Sequence, residues 1–257
     1  MMMNTTKKDQ IRALLKSIET GETDAVAVVN EQKYIQHNPE THEGSEGLAV
    51  LFQRLSKTNP RVNIVRAFED GDFVFAHTEY DFKNRNIGFE VFRFEAGQAV
   101  EHWDNLQRRQ EQINPSGHSM IDGPTAVSDH ELTEDNRLLS RLFVETVLIA
   151  GQLDRLSEYI DQSVYVEHNP RLGDDVAMLL AELAYDDSGV RRIDYKKLHR
   201  VLAEGDFVLC VSEGFIEKRH CAFYDLFRIA HGKIVEHWDT TEAVAPKSEW
   251  KNDNGKF

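Results

Sequence analysis

Apolar residues return at helical spacing near the start of the chain. Ile11, Leu14, Leu15 and Ile18 stand at i, i+3, i+4 and i+7, which gathers them on one face of an amphipathic helix. Leu138, Leu139, Leu142, Phe143 and Val147 repeat the pattern, with Thr133 as the expected N-cap. Gly21 and Gly151 then read as C′ stops. A short second helix is expected around Val26 and Val29, and again around Leu153, Leu156 and Ile160. A third is expected around Leu48, Leu51, Phe52 and Leu55, and again around Val176, Leu179, Leu180 and Leu183. Between the second and third helices, a tyrosine with β-branched neighbours predicts a short strand closed by Asn38-Pro39 or Asn169-Pro170.

Beyond each third helix the chain reads as strands. Segments 61–69, 73–82, 87–95 and 99–107 are separated by turn residues, among them Asp70-Gly71 and Ala96-Gly97. In the second half the turns are Glu204-Gly205-Asp206 and His231-Gly232. Helices first and a meander of strands afterwards predict an α+β fold, with helices on one face of a curved antiparallel sheet and a pocket in its concavity.

The recurrence is literal in places. Tyr34-Ile35-Gln36-His37-Asn38-Pro39 returns as Tyr165-Val166-Glu167-His168-Asn169-Pro170 at an offset of 131. Gly71-Asp72-Phe73-Val74 returns as Gly205-Asp206-Phe207-Val208 at an offset of 134, and Val100-Glu101-His102-Trp103-Asp104 as Val235-Glu236-His237-Trp238-Asp239 at 135. Ordered, slowly rising offsets indicate a tandem duplication. The expected division is a first domain over 5–110, a linker over 111–131, a second domain over 132–245, and a polar tail over 246–257 that frays.

Composition narrows the function classes. The chain has 257 residues, 40% of them hydrophobic and 29% charged, and a formal charge of −14. That charge repels a phosphate backbone and an anionic membrane surface, so neither nucleic acid nor membrane is an expected partner. No secretory h-region or membrane-length apolar run is visible, and the two cysteines, Cys210 and Cys221, read as buried reduced thiols. A cytoplasmic protein is the expectation.

The motifs Y-x-x-HNP, GDFV and F-R-x-x-x-G-x-x-VEHWD resemble the SnoaL-like, polyketide cyclase-like family of the nuclear transport factor 2-like superfamily. Each half resembles one complete domain. The resemblance implies two tandem cone-shaped domains, each a curved antiparallel sheet packed with three N-terminal helices. It implies aldol cyclisation or isomerisation of a small apolar or carbonyl-containing ligand, with no cofactor and no metal. It also implies intramolecular pairing of the two domains, with a homodimer as a further option. Two alternatives stand beside this enzyme: a non-catalytic protein that binds a small apolar ligand, and a structural pseudo-dimer without a functional pocket.

Such chemistry needs a base for the proton α to a carbonyl and an acid for the developing alkoxide. The family's acid/base carboxyl, in a D-[IV]-F-R motif, falls on Glu90 and on Asp225 in Asp225-Leu226-Phe227-Arg228. His37 and His168 of the HNP element are expected at the pocket mouth. His77 matches a histidine the family often carries after GD; the second half has Val211 there. His102 with Asp104, and His237 with Asp239, are expected to share a strand face, the aspartate fixing the histidine tautomer. A three-residue turn at Glu95-Ala96-Gly97 would set Glu90 opposite His102, whereas a two-residue turn would set it opposite Trp103. Each candidate also has a structural reading: a sheet ion pair for Glu90, a turn contact for the HNP histidines, a packing signature for the HWD element.

Overall fold

The computed structural model describes residues 5–257, save the side chains of residues 45, 46, 49 and 56. It divides into two compact units, Met1–Arg108 with Ala245–Phe257, and Arg109–Val244.

Unit 1 opens with α1 (Lys7–Thr20), which starts where the Thr6 hydroxyl accepts the Asp9 N–H and stops at Gly21, at φ 73°. A 3₁₀ turn (Asp24–Val28), the two-residue strand β1 (Ile35–Gln36) and α2 (Gly44–Ser56) follow. Strands β2 (Arg61–Asp70), β3 (Phe73–Asp81), β4 (Arg85–Glu95) and β5 (Gln98–Arg108) complete a sheet of order β1-β5-β4-β3-β2. Only β1 runs parallel to its neighbour. Ile11, Leu14, Leu15 and Ile18 pack with Val74, Ala76, Phe92 and Phe94, each large side chain contributing about 1.5–3 kcal/mol by leaving water.

Unit 2 repeats the order with α3 (Thr133–Phe143), continued by a π turn to Ile149, a 3₁₀ turn (Leu153–Glu158), β6 (Val166–Glu167) and α4 (Val176–Leu183). Its strands are β7 (Ile193–Glu204), β8 (Phe207–Ile216), β9 (Arg219–Ala230) and β10 (Lys233–Ala243), in the sheet order β6-β10-β9-β8-β7. Thr133 does not cap α3. Its hydroxyl donates to the His130 carbonyl and accepts from the Gly205 N–H, because a 3₁₀ turn at His130–Leu132 already leads into the helix. Both cysteines are buried as free thiols. Among the described residues no helix is long and apolar enough to cross a membrane.

Three local expectations are corrected. The β4–β5 turn has two residues, Ala96 and Gly97, at φ 49° and 84°, and pairs Glu95 with Gln98. A bulge after Arg93 then restores parity, so Glu90 lies opposite Asp104 and Phe92 opposite His102. Unit 2 has the same device: His231-Gly232 forms the turn, a bulge falls between Ile234 and Glu236, and Asp225 lies opposite Asp239. Finally, the tail does not fray. The Asn252 side-chain amide donates to the Asn38 and Thr41 carbonyls, Asn254 donates to the Gln36 carbonyl, and Lys256 is 2% exposed. Residues 109–131 are likewise built into unit 2, where the Asn114 amide donates to the Glu167 carbonyl.

Candidate functional site

In unit 2, Asp225 of β9 and His237 and Asp239 of β10 share the sheet face that the helices cover. Side chains two residues apart on a strand point the same way, and the bulge brings the two carboxyls opposite each other. Beneath the helices these three groups line a cavity with Phe143, Leu148, Ile160 and Phe227. It offers about 50 Å³ of room for solvent centres, a few waters' worth.

His237 lies between two acids. Nδ1 is 3.0 Å from Glu167 Oε1 and Nε2 is 3.1 Å from Asp225 Oδ1. Burial works against a charge on the ring, but Glu167 and Asp225 outweigh it and hold the His237 pKa well above the ordinary value. Burial likewise opposes charge on Glu167, yet His237, the Tyr165 hydroxyl and a backbone N–H leave its pKa lowered. The two form an imidazolium–carboxylate pair with both ring nitrogens donating. Asp225 also accepts the Tyr195 hydroxyl, 3.2 Å from each oxygen. Burial, with Asp225 alongside, pushes the Tyr195 pKa well above 10, so it stays a phenol donor.

Asp239 differs from the other acids. Its described hydrogen bonds come from the Asn169 side-chain amide, at 2.9 and 3.0 Å. Burial pushes its pKa up to about 6; His237 opposes that rise and Glu167 and Asp225 add to it. It is a carboxyl that exchanges its proton near neutrality.

Unit 1 holds Glu90, His102 and Asp104 at the matching positions. His102 Nε2 is 2.7 Å from Glu90 Oε2 and Nδ1 is 3.0 Å from Gln36 Oε1. That amide oxygen also accepts the Asn38 N–H, so it is an acceptor and His102 Nδ1 carries a proton. Tyr80 donates to Glu90 at 2.9 Å, and the Asn38 amide to Asp104 at 2.7 Å. Lys256, from the tail, donates to the Asp104 carbonyl at 2.8 Å and places its ammonium 3.5 Å from Asp104 Oδ1. Glu90, His102 and Asp104 present ligand atoms within 4.8 Å of one another. They are the residues with which this unit could hold a metal ion, and the Lys256 ammonium already stands beside them.

The remaining expected residues lie on the opposite face. His37 stacks on Trp103 at 4.5 Å and bonds Glu101 and the Gly255 carbonyl. His168 stacks on Trp238 at 4.6 Å and bonds Glu236 and the Ser119 carbonyl. Glu101 and Glu236 in turn bind Arg93 and Arg228. His77, paired across the sheet with Phe89, receives Arg66 at 2.7 Å. The expectation that His37 and His168 stand at the pocket mouth is corrected by strand alternation: the residue before each, Gln36 or Glu167, is the one that turns inward. Asp104 and Asp239 do not fix the histidine tautomer either; Gln36 and Glu90, or Glu167 and Asp225, occupy the ring nitrogens. Sequence reasoning missed Glu167, Tyr195 and Asn169, and in unit 1 Gln36, Tyr80 and Asn38. For the residues ahead of the HNP histidine the available signal was parity within Y-x-x-HNP. For the tyrosines there was none, because each reaches the carboxyl from another strand.

No family model and no curated protein matches the sequence. Among solved structures, similarity is found to an NTF2-like protein of unknown function from Cytophaga hutchinsonii (16% identity, TM-score 0.35, covering 42% of this chain and 95% of that one). It is also found to IdmH of Streptomyces antibioticus, described as a candidate polyketide cyclase (16% identity, TM-score 0.35, covering 38% and 90%). A third, from Kribbella flavida, is described as a candidate ketosteroid isomerase (17% identity, TM-score 0.36, covering 45% and 84%). Each of these matches spans rather less than half of the chain.

Proposed function

We propose that unit 2 is the active site of a SnoaL-like enzyme doing cofactor-free acid/base chemistry on a small, mostly apolar carbonyl compound, by aldol cyclisation or isomerisation. One observation carries the reading: a helix-covered apolar cavity in which a proton-exchanging carboxyl, Asp239 at about 6, faces a carboxylate–imidazolium–carboxylate chain. Asp239 is the base. Above its pKa it carries a charge that, among the described residues, is hydrogen-bonded by Asn169 alone, so an oxygen lone pair remains for a proton α to a carbonyl. The Tyr195 hydroxyl, held by Asp225 whose charge the His237 imidazolium offsets, donates to the substrate oxygen as negative charge develops on it, and the proton that Asp239 takes up is given back to the product. Glu167 is a positioning residue that keeps His237 charged. The proposal further reads the two units as products of one duplication, which their shared strand order and bulge position support.

The test is turnover of cyclisable and isomerisable β-dicarbonyl compounds by the full chain, comparing wild type with Asp239→Asn, Asp225→Asn and Asp104→Asn. Loss in the first two with retention in the third supports the reading. Retention in Asp239→Asn and Asp225→Asn overturns it.

A further inference from the structure

Outside the inner cavity of unit 2 lies a groove of about 860 Å³ between α4, the loop after it and the β8–β9 turn. Arg171, Leu172 and Glu182 belong to the walls of both spaces. A ligand reaching Asp225 and Asp239 from the groove therefore passes Arg171. The groove is in the size range of small-molecule sites, and its charges are unevenly matched. Arg192 binds Glu182 and faces Glu217 at 3.8 Å. Asp186 is taken up by the Ser188 hydroxyl and the Ser188 and Val190 N–H groups. That accounts for the three acids of the wall.

Among the described residues the other cations have no acid partner. Arg191 is only 7% exposed, yet no carboxylate pairs with it among the described residues. Nε donates to the Leu183 carbonyl at 3.2 Å, Nη1 reaches the Ile149 carbonyl at 3.5 Å, and the guanidinium lies 5.6 Å from the centre of the Tyr185 ring. Nη2 is buried without a hydrogen-bond partner. A buried guanidinium without a counter-charge is costly. Arg171 and Lys218, at the surface of the same groove, have no described ion-pair partner either.

We propose that this groove binds the carboxylate of an acidic ligand whose apolar body lies along the groove toward the inner cavity, so that the substrate class is a carboxylic acid bearing an apolar carbonyl-containing portion. Arg171 makes the direct contact, with Arg191 behind it as the buried cation that the ligand's charge neutralises. A planar guanidinium fork matches a carboxylate in two parallel hydrogen bonds. The inference rests on the proposed function for where the reacting portion sits, and on the groove alone for the acid.

The test is calorimetric binding of 2-naphthoate and of methyl 2-naphthoate to the full chain, wild type and Arg171→Gln. Wild type is expected to prefer the acid by about ten-fold or more, and Arg171→Gln to lose that preference while leaving ester affinity unchanged. Arg171→Lys is expected to recover only part of it. Equal affinity for acid and ester, an unchanged preference in Arg171→Gln, or no naphthoate binding at millimolar concentration would each overturn the proposal. Asp239→Asn separates the two claims. If it keeps turnover while the acid preference stands, the catalytic reading fails and the acid site survives; lost turnover without any acid preference gives the reverse.

Discussion

Asp104 and Asp239 occupy the same position in the two units, two residues past the histidine of the strand that closes each sheet. Asp104 shares its surroundings with the ammonium of Lys256, which is 2% exposed, while among the described residues Asp239 receives only the Asn169 amide. In unit 1 the carboxyl belongs to an ion pair. In unit 2 burial without a dedicated cation leaves it near pH 6. One fold thus places the same residue type beside a buried ammonium in one unit and beside a side-chain amide in the other, and the cation that separates them comes from outside the repeated strands.

The phenols extend the comparison. Tyr80 reaches Glu90 from β3, whereas Tyr195 reaches Asp225 from β7. Gly88 makes the first arrangement fit: a Cβ there would stand 2.7 Å from Tyr80 Cε2 and 2.9 Å from Glu90 Oε1. The corresponding position in unit 2 is Phe223, which stacks on Tyr195 at 4.3 Å, and Tyr80 corresponds to Gly214. Ring and glycine have exchanged strands, and the hydroxyl still meets the carboxyl.

The largest effect expected from breaking this contrast is on turnover. Asp239→Asn should lower kcat by roughly 10²–10⁴-fold, and Asp104→Asn should leave it within a factor of two or so, read in parallel steady-state assays. Next is the ion pair. Lys256→Met strands Asp104 in the interior and should cost about 3–5 kcal/mol in urea unfolding, a loss that Asp104→Asn in the same chain should largely reverse.

The third effect has the opposite sign. The folded chain keeps the Asp239 proton up to about pH 6, whereas an unfolded aspartate releases it near pH 4. The folded state therefore binds more protons in between. The stability this group contributes is full below about pH 4 and is lost as pH rises through about 6. Asp239→Asn should accordingly be more stable than wild type at pH 7.5, by up to about 3 kcal/mol, and should show no such gain at pH 3.5. Equal melting temperatures at both pH values would contradict a raised Asp239. The smallest effects concern the phenols. Tyr80→Phe and Tyr195→Phe should each cost about 1–2 kcal/mol, and only Tyr195→Phe should also slow turnover. A matching loss of rate in Tyr80→Phe would place chemistry in unit 1 as well.

Much of the architecture was readable along the chain. The i, i+3, i+4, i+7 spacing of Ile11 to Ile18 marks a helix that forms with those residues inside, and Gly21 and Gly151 both adopt positive φ. Glu90, His102 and Asp104, and Asp225, His237 and Asp239, do share a face. What misled was parity. The bulge after Arg93 shifts β5 by one residue, and the HNP histidines lie one residue beyond strands only two residues long, so His37 and His168 turn to the tryptophan face while Gln36 and Glu167 turn inward. The polar tail looked dispensable because side-chain amides on a peripheral segment give no hydrophobic signal; Asn252 and Asn254 hold it by bonding backbone carbonyls.

By itself, then, the sequence determined two repeats, their helices and strands, and the strand positions of the candidate carboxyls, because these follow from local periodicity and turn chemistry. Only the tertiary structure decided which side of each sheet a histidine takes, which tyrosine meets which carboxyl, and that Lys256 stands beside one aspartate while the other is left near pH 6. A one-residue slip inverts a strand face, and a buried charge is set by whatever distant segment packs against it.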